Sequence, residues 1–138
     1  EPIKDVLFDP NTAISFEGDT GPYIQYAYTR CSNILNKVKK WENNLLNGKI
    51  QPEEKNLIKM LSKFPDILGQ SAKDLKPNYL CNYAFELSNV FNNFYEKHRV
   101  INAETTNLKN FRLSLVNATK IVLGNCLKLM GIHTLEKM

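Results

Sequence analysis

"PNYLCNYAFELSNVFNNFYEKH", residues 77 to 98, decides the fold. Leu80, Tyr83, Leu87, Phe91 and Phe94 recur at steps of three, four, four and three, which gathers them on one side of a helix and on no single face of a strand. Pro77 stands where a helix tolerates proline, because the N–H it lacks has no intrahelical partner in the first turn. The spacing therefore predicts a helix with one buried face, which needs other helices to cover it.

Working outward, the polar loop "NAETTN" leads to a last helix over roughly Leu108 to Met130. Phe111, Leu115, Ala118, Val122 and Leu129 line one side, and Val116, Leu123, Leu127 and Met130 widen the apolar arc to about half the circumference. A helix so broadly apolar is expected to pack between two neighbours as the spine of a bundle, with Gly131 ending it. Upstream, Pro52 opens "PEEKNLIKMLSKF", with acidic residues in the first turn and Leu57, Leu61 and Phe64 as its inner face. Pro65 is expected to break that pattern, leaving "PDILGQSAKDL" as a short turn or helix packed through Ile67 and Leu68. Further back, "GDTGPYIQYAYTR" (residues 18 to 30) opens a helix at Pro22, capped by Asp19 or Thr20. The line Ala27, Ile34, Val38, Trp41 and Leu45 predicts that this helix runs to about Leu46, where Asn47 and Gly48 stop it. Residues 1–21, with Pro2, Pro10, Asn11, Gly18 and Gly21 and only "IKDVLF" weakly extended, read as an irregular connector. The prediction is an all-α, antiparallel helical bundle of four to five helices over residues 22–138.

Composition agrees with one folded domain: 138 residues, 43% apolar and 23% charged, far from the profile of a disordered chain. The start at Glu1 reads as a cut inside a longer chain. Cys31, Cys81 and Cys126 are odd in number, widely spaced and set in apolar helical patterns. They are expected to be reduced core thiols of an intracellular, cytoplasmic protein, with no metal site. The longest apolar run, "IVLGNCLKLMGI", is interrupted by Asn125 and Lys128 and too short for a bilayer. A net charge of +4 suits an RNA-binding surface and an ordinary basic globule equally.

No catalytic constellation is visible: there is no glycine-rich phosphate loop, no GxSxG and no HExxH, and His98 and His133 lie in different segments. His98, at a helix end, is expected to cap or be solvated. The helix of residues 77–98 carries a second flank, Cys81, Phe85, Ser88, Asn92 and Tyr95. Such a mixture of aromatic and small polar groups can stack an unpaired base and hydrogen-bond its edge, or simply pack on another helix. Lys97 and Arg99 close that helix and Arg112 opens the next, so a cationic patch beside Tyr95 could hold phosphates. In the first helix Tyr26 and Arg30 share one edge and Tyr28 takes the opposite one. Neighbouring helices, or a further domain, would cover them.

Three stretches carry a family resemblance: "SFEGDTGPYIQYAYTRCSNIL", "PNYLCNYAFELSNVFNNFYEKHRVI" and "RLSLVNATKIVLGNCLKLMGIHTLEKM". In this order they resemble the C-terminal anticodon-binding (DALR-type) domain of arginyl-tRNA synthetases. The likeness covers residues 6 to 46 and 77 to 138 and weakens between them, and Tyr28 and Thr29 replace a common histidine and alanine. It implies a class I synthetase that joins arginine to its tRNA. ATP and magnesium would then bind an upstream catalytic domain, and this segment would be non-catalytic and without a cofactor. By matching position, Tyr95 and Met138 would stack on or pack against bases, and Asn92 would read a base edge. Arg112, Lys97 and Arg99 would hold phosphates of the anticodon loop. Tyr23, Tyr26, Tyr28 and Arg30 would sit at an elbow facing the catalytic body. A helical protein-interaction module remains an alternative, as does the related anticodon-binding bundle of cysteinyl enzymes or of the glycyl enzyme's beta subunit.

Overall fold

The computed structural model describes residues 20–43, 46 and 48–136. The connector expected over residues 1–21 lies outside these up to Asp19, as do Leu45, Asn47 and Met138. Five helices follow in chain order: α1 (Gly21–Asn36), α2 (Pro52–Ser62), α3 (Phe64–Asp74), α4 (Asn78–Lys97) and α5 (Thr106–Leu129), with no strand among the described residues.

α4 is the centre of the bundle and packs against all four other helices. The reason is its stripe: Leu80, Tyr83, Leu87, Phe91 and Phe94 are all buried, and Leu87, Phe91 and Phe94 fully so. The long helices alternate in direction. At one end of the α2–α4 pair Glu53 meets Lys97, and at the other the Tyr83 hydroxyl donates to the Met60 carbonyl. The start of α5 returns to the end of α4 through Arg112 and His98. α1 runs in the same sense as α4, since Tyr23 bonds Asn89 and Arg30 bonds Asn92, and against α5, whose Gly124 lies under the Tyr28 ring. The spine expected at α5 is thus α4, while α5 packs on α1, α2 and α4.

The ends of the helices follow local chemistry. The Thr20 hydroxyl accepts from the Tyr23 N–H at 3.4 Å, and Thr105 does the same for Leu108 at 3.1 Å. Glu54 closes a capping box by accepting from the Gln51 N–H at 2.8 Å. α5 ends in a Schellman motif: Ile132 N–H donates to Leu127 and Gly131 N–H to Lys128, with Gly131 at φ +74°. That turn folds residues 132–136 back along α1. Gln25 donates to the His133 carbonyl, Thr29 to that of Leu135 at 2.7 Å, and Tyr28 to the Glu136 carboxylate.

Other expectations change as well. α1 stops at Asn36 instead of continuing to about Leu46. Asn36, Val38, Trp41 and Asn43 are weak helix formers, and Val38, Trp41 and Leu46 reach the core from irregular backbone, so burial does not require a helix there. The break expected at Pro65 is present: α2 ends at Ser62 and the short helix α3 follows, with Pro65 in its first turn, where its missing N–H costs nothing. Leu129 is exposed, because Cys126 and Leu127 take the inward positions at the end of α5. Cys81 is exposed as well, whereas burial pushes the Cys31 thiol up and raises that of Cys126 to about 12. Among the described residues no helix is long and apolar enough to cross a membrane.

Candidate nucleic-acid interface

Because α1 and α4 run in the same sense, their polar edges meet in register. Tyr23, Tyr26 and Arg30, at steps of three and four on α1, face Asn89, Asn92 and Tyr95 on α4. The Tyr23 hydroxyl donates to Asn89 Oδ1 at 2.7 Å and accepts from Asn92 Nδ2 at 2.9 Å, while its ring lies 5.4 Å from that of Phe85. Arg30 Nη1 donates to Asn92 Oδ1 at 2.8 Å and Nη2 to the Tyr26 hydroxyl at 2.8 Å. A guanidinium can only donate, so it fixes which end of the Asn92 amide faces it.

Arg30 is the hub of this edge. Its guanidinium carbon lies 4.6 Å from the centre of the Tyr26 ring and 5.3 Å from that of Tyr95, within cation–π range of both. Tyr95 is 38% exposed, with its ring stacked on that of buried Phe91 at 6.3 Å and the Arg30 guanidinium over it. Tyr26 is exposed to a similar degree.

Beyond Tyr95, α4 ends at Lys97 and the chain turns through His98 and Arg99. Together with Arg30 and Tyr95 these residues line an open groove of about 560 Å³. Lys97 donates to Glu53 Oε1 at 2.7 Å but keeps more than half its side chain in water, and Arg99 is exposed. The hydrogen bond from Lys97, with further ones from the Glu53 backbone and His98, holds the Glu53 carboxyl down at about 2. A second open groove, about 640 Å³, lies on the other side of His98 and Arg112, with Lys49, Glu104 and Thr105 on its walls.

The sequence-predicted residues therefore divide. Tyr95, Lys97 and Arg99 come together at one groove, and Asn92 joins them through Arg30. Arg112 does not. It is only 7% exposed, and its Nε donates to fully buried Glu54 at 2.7 Å, Nη1 to the Arg99 carbonyl at 2.9 Å, with Nη2 3.3 Å from His98 Nδ1. Every edge of this guanidinium is committed inside the fold, so it holds the chain and not a phosphate. His98 occupies the C-cap of α4, its N–H donating to the Phe94 carbonyl, and its ring joins this network instead of being solvated. Tyr28 is enclosed by α5 and the returning tail, with Lys120 Nζ 5.3 Å from its ring centre, and is not open to another domain. Tyr23 is also committed to the bundle, which leaves Tyr26 as the tyrosine of α1 with an open side. Met138 lies outside the described residues. Sequence reasoning missed Asn89 and the central place of Arg30, because both depend on the register between two helices.

This edge offers a part-exposed aromatic ring, a planar cation and two exposed charges. Such a surface suits a planar ring and an adjoining phosphate. The class it defines is a small all-helical bundle with a tyrosine- and cation-lined edge. The chain belongs to the DALR anticodon binding domain family, whose profile matches residues 24–138. It is 42% identical to the arginine–tRNA ligase of Pyrococcus furiosus over 99% of this chain and 23% of that protein, and 39% identical to that of Clostridium acetobutylicum over 98% and 24%. Among solved structures it resembles the arginyl-tRNA synthetase of Thermus thermophilus (TM-score 0.93, 34% identity, all of this chain and 24% of that one). It also resembles that of Plasmodium falciparum (TM-score 0.83, 28% identity, 98% and 24%). The chain spans about a quarter of the length of these relatives.

Proposed function

We propose that this chain is the anticodon-binding domain of an arginyl-tRNA synthetase and grips the anticodon stem and loop of an arginine-accepting tRNA. The ligation of arginine to tRNA, with its ATP and magnesium, belongs to the remainder of a longer cytoplasmic protein. This domain contributes affinity and discrimination without chemistry or a cofactor of its own. One observation carries the reading: part-exposed Tyr95, stacked on Phe91 and with Arg30 over its ring, stands at the groove that Lys97 and Arg99 line. An unstacked loop base lies on Tyr95, a contact worth ~1–3 kcal/mol, while Lys97 and Arg99 take the neighbouring phosphates. Asn92 orients Arg30, and the open side of Tyr26 adjoins the catalytic body.

The test is binding of arginine tRNA and of a tRNA with a mismatched anticodon at two salt concentrations. Two loop phosphates held by Lys97 and Arg99 give a salt slope of roughly −1.4, so affinity drops about sevenfold between roughly 50 and 200 mM salt. Tyr95→Ala weakens cognate binding by on the order of tenfold with helix content unchanged. Equal affinity for the two tRNAs, independent of salt, would remove the proposal.

A further inference from the structure

His98 stands between two groups whose hydrogen-bonding sense is fixed. Arg112 Nη2 lies 3.3 Å from Nδ1, and Glu53 Oε2 lies 3.1 Å from Nε2. A guanidinium only donates and an ionised carboxylate only accepts. The two contacts are satisfied together by one form of the ring: neutral, with its proton on Nε2 and a bare Nδ1 receiving Arg112. Glu53 is available as that acceptor because its carboxyl is held down at about 2.

Through these two contacts His98 ties together what surrounds the cationic turn. Glu53 also accepts from Lys97, and Arg112 Nη1 also donates to the Arg99 carbonyl. The ring itself packs on Phe94 at 5.6 Å, and its side chain is only 13% exposed. The charged groups around it come from every adjoining element: Glu53 and Glu54 from α2, Lys97 from α4, and Arg112 from α5. Arg99 and Glu104 come from the connection between α4 and α5, and Lys49 from the segment before α2. Glu54 is already occupied by Arg112 at 2.7 Å and Glu53 by Lys97 at 2.7 Å, so the carboxylates nearest the ring each hold a cation.

We propose that His98 is the positioning residue of the nucleotide groove, and that it positions Lys97 and Arg99 only while neutral. A second ring proton would place an N–H on Nδ1 against the N–H of Arg112, donor facing donor with a charge on each side. The ring must then leave Arg112, and the turn that carries Lys97 and Arg99 into the groove loses one of its ties. The consequence has an unusual sign. A histidine beside an RNA groove ordinarily strengthens binding on protonation by adding a charge for phosphate, whereas here acidification weakens it. This inference rests on the proposed function for its binding readout, and on the ring's own protonation state for a readout that does not.

The experiment measures binding of the chain to an arginine-tRNA anticodon stem-loop across roughly pH 5.5 to 8, the span over which imidazoles titrate, and records nitrogen chemical shifts of the His98 ring by NMR without RNA. The expected results are a neutral ring protonated on Nε2 at about pH 7.5 and an affinity that falls roughly fivefold on acidification, the loss of one positioned phosphate contact. His98→Gln, whose terminal amide offers one donor and one acceptor at a similar separation and does not titrate, loses the pH dependence whatever its affinity at the upper end. Binding that tightens on acidification, or an identical profile in parent and His98→Gln, overturns the proposal. So does a ring found protonated on Nδ1, or doubly protonated, at about pH 7.5. If the parent ignores the stem-loop at every pH, the functional reading fails, and the NMR result alone decides whether His98 is held as argued.

Discussion

Replacing Arg112 with methionine tests whether this cation belongs to the fold or to RNA. Its side chain is 8% exposed, and the carboxylate it meets at 2.7 Å, Glu54, has no exposure at all. Methionine fills much of the same space but leaves Glu54 ionised and unpaired in the interior, and it strips the Arg99 carbonyl and His98 of a donor. Breaking a buried pair from one side costs ~3–5 kcal/mol. In a domain of this size that lowers the melting temperature by on the order of 10 °C. The double variant Glu54→Leu/Arg112→Met removes both charges together. It should recover most of that loss, since well-packed apolar replacements of buried pairs are often neutral, less about 1 kcal/mol for the capping box that Glu54 makes with Gln51. Denaturant unfolding at neutral pH of the parent, both single variants and the double variant gives the coupling directly. If Arg112→Met cost less than ~1 kcal/mol while reducing the salt slope of tRNA binding by about one phosphate's share, the guanidinium would be an RNA contact and the present account of it wrong.

Other outcomes follow from single features. Leu75 is a non-glycine residue at φ 53° and is 86% exposed, so Leu75→Gly removes backbone strain without losing burial and should raise stability by ~1 kcal/mol in thermal unfolding. Thr29→Val removes the donor to the Leu135 carbonyl and should speed amide exchange over residues 132–136, with global stability changed by only ~1 kcal/mol. Glu53 lies at about 2 in the fold against its usual 4.5. Its contribution to stability is therefore complete above about pH 4.5 and lost as pH falls towards 2. Glu53→Gln should flatten that part of the acid-unfolding curve.

Much of the fold was legible because burial wrote itself into periodicity. The stripe from Leu80 to Phe94 needed no partner to be recognised, and the end of α5 was legible in Gly131. The end of α1 was not, since Val38 and Trp41 keep helical spacing while packing from irregular backbone, and periodicity cannot tell the two apart. Tyr95, Lys97 and Arg99 could be grouped from one stretch of chain. Arg112 was grouped with the phosphate contacts, yet a signal of its internal pairing was present. It stands one turn before Val116 in the register of Val116, Leu123 and Leu127, and Glu54 stands in the register of Leu57. Opposite charges, each embedded in an apolar stripe, are the mark of an internal pair. Arg30 had no such signal, because its partners lie 62 and 65 residues away by sequence and meet it only when two helices align in the same sense.

The way α1 is held has a kinetic corollary. α2 to α5 are joined by short links and can zip neighbour to neighbour, whereas the bonds from Tyr28 to Glu136 and from Gln25 to His133 each bridge 108 positions. Long closures are entropically costly and come late in assembly. The first helix is therefore the last to dock and the first to lift away. Because Arg30 and Tyr95 sit on opposite banks of that seam, a transient opening would dissolve the binding edge while the aromatic interior stayed folded.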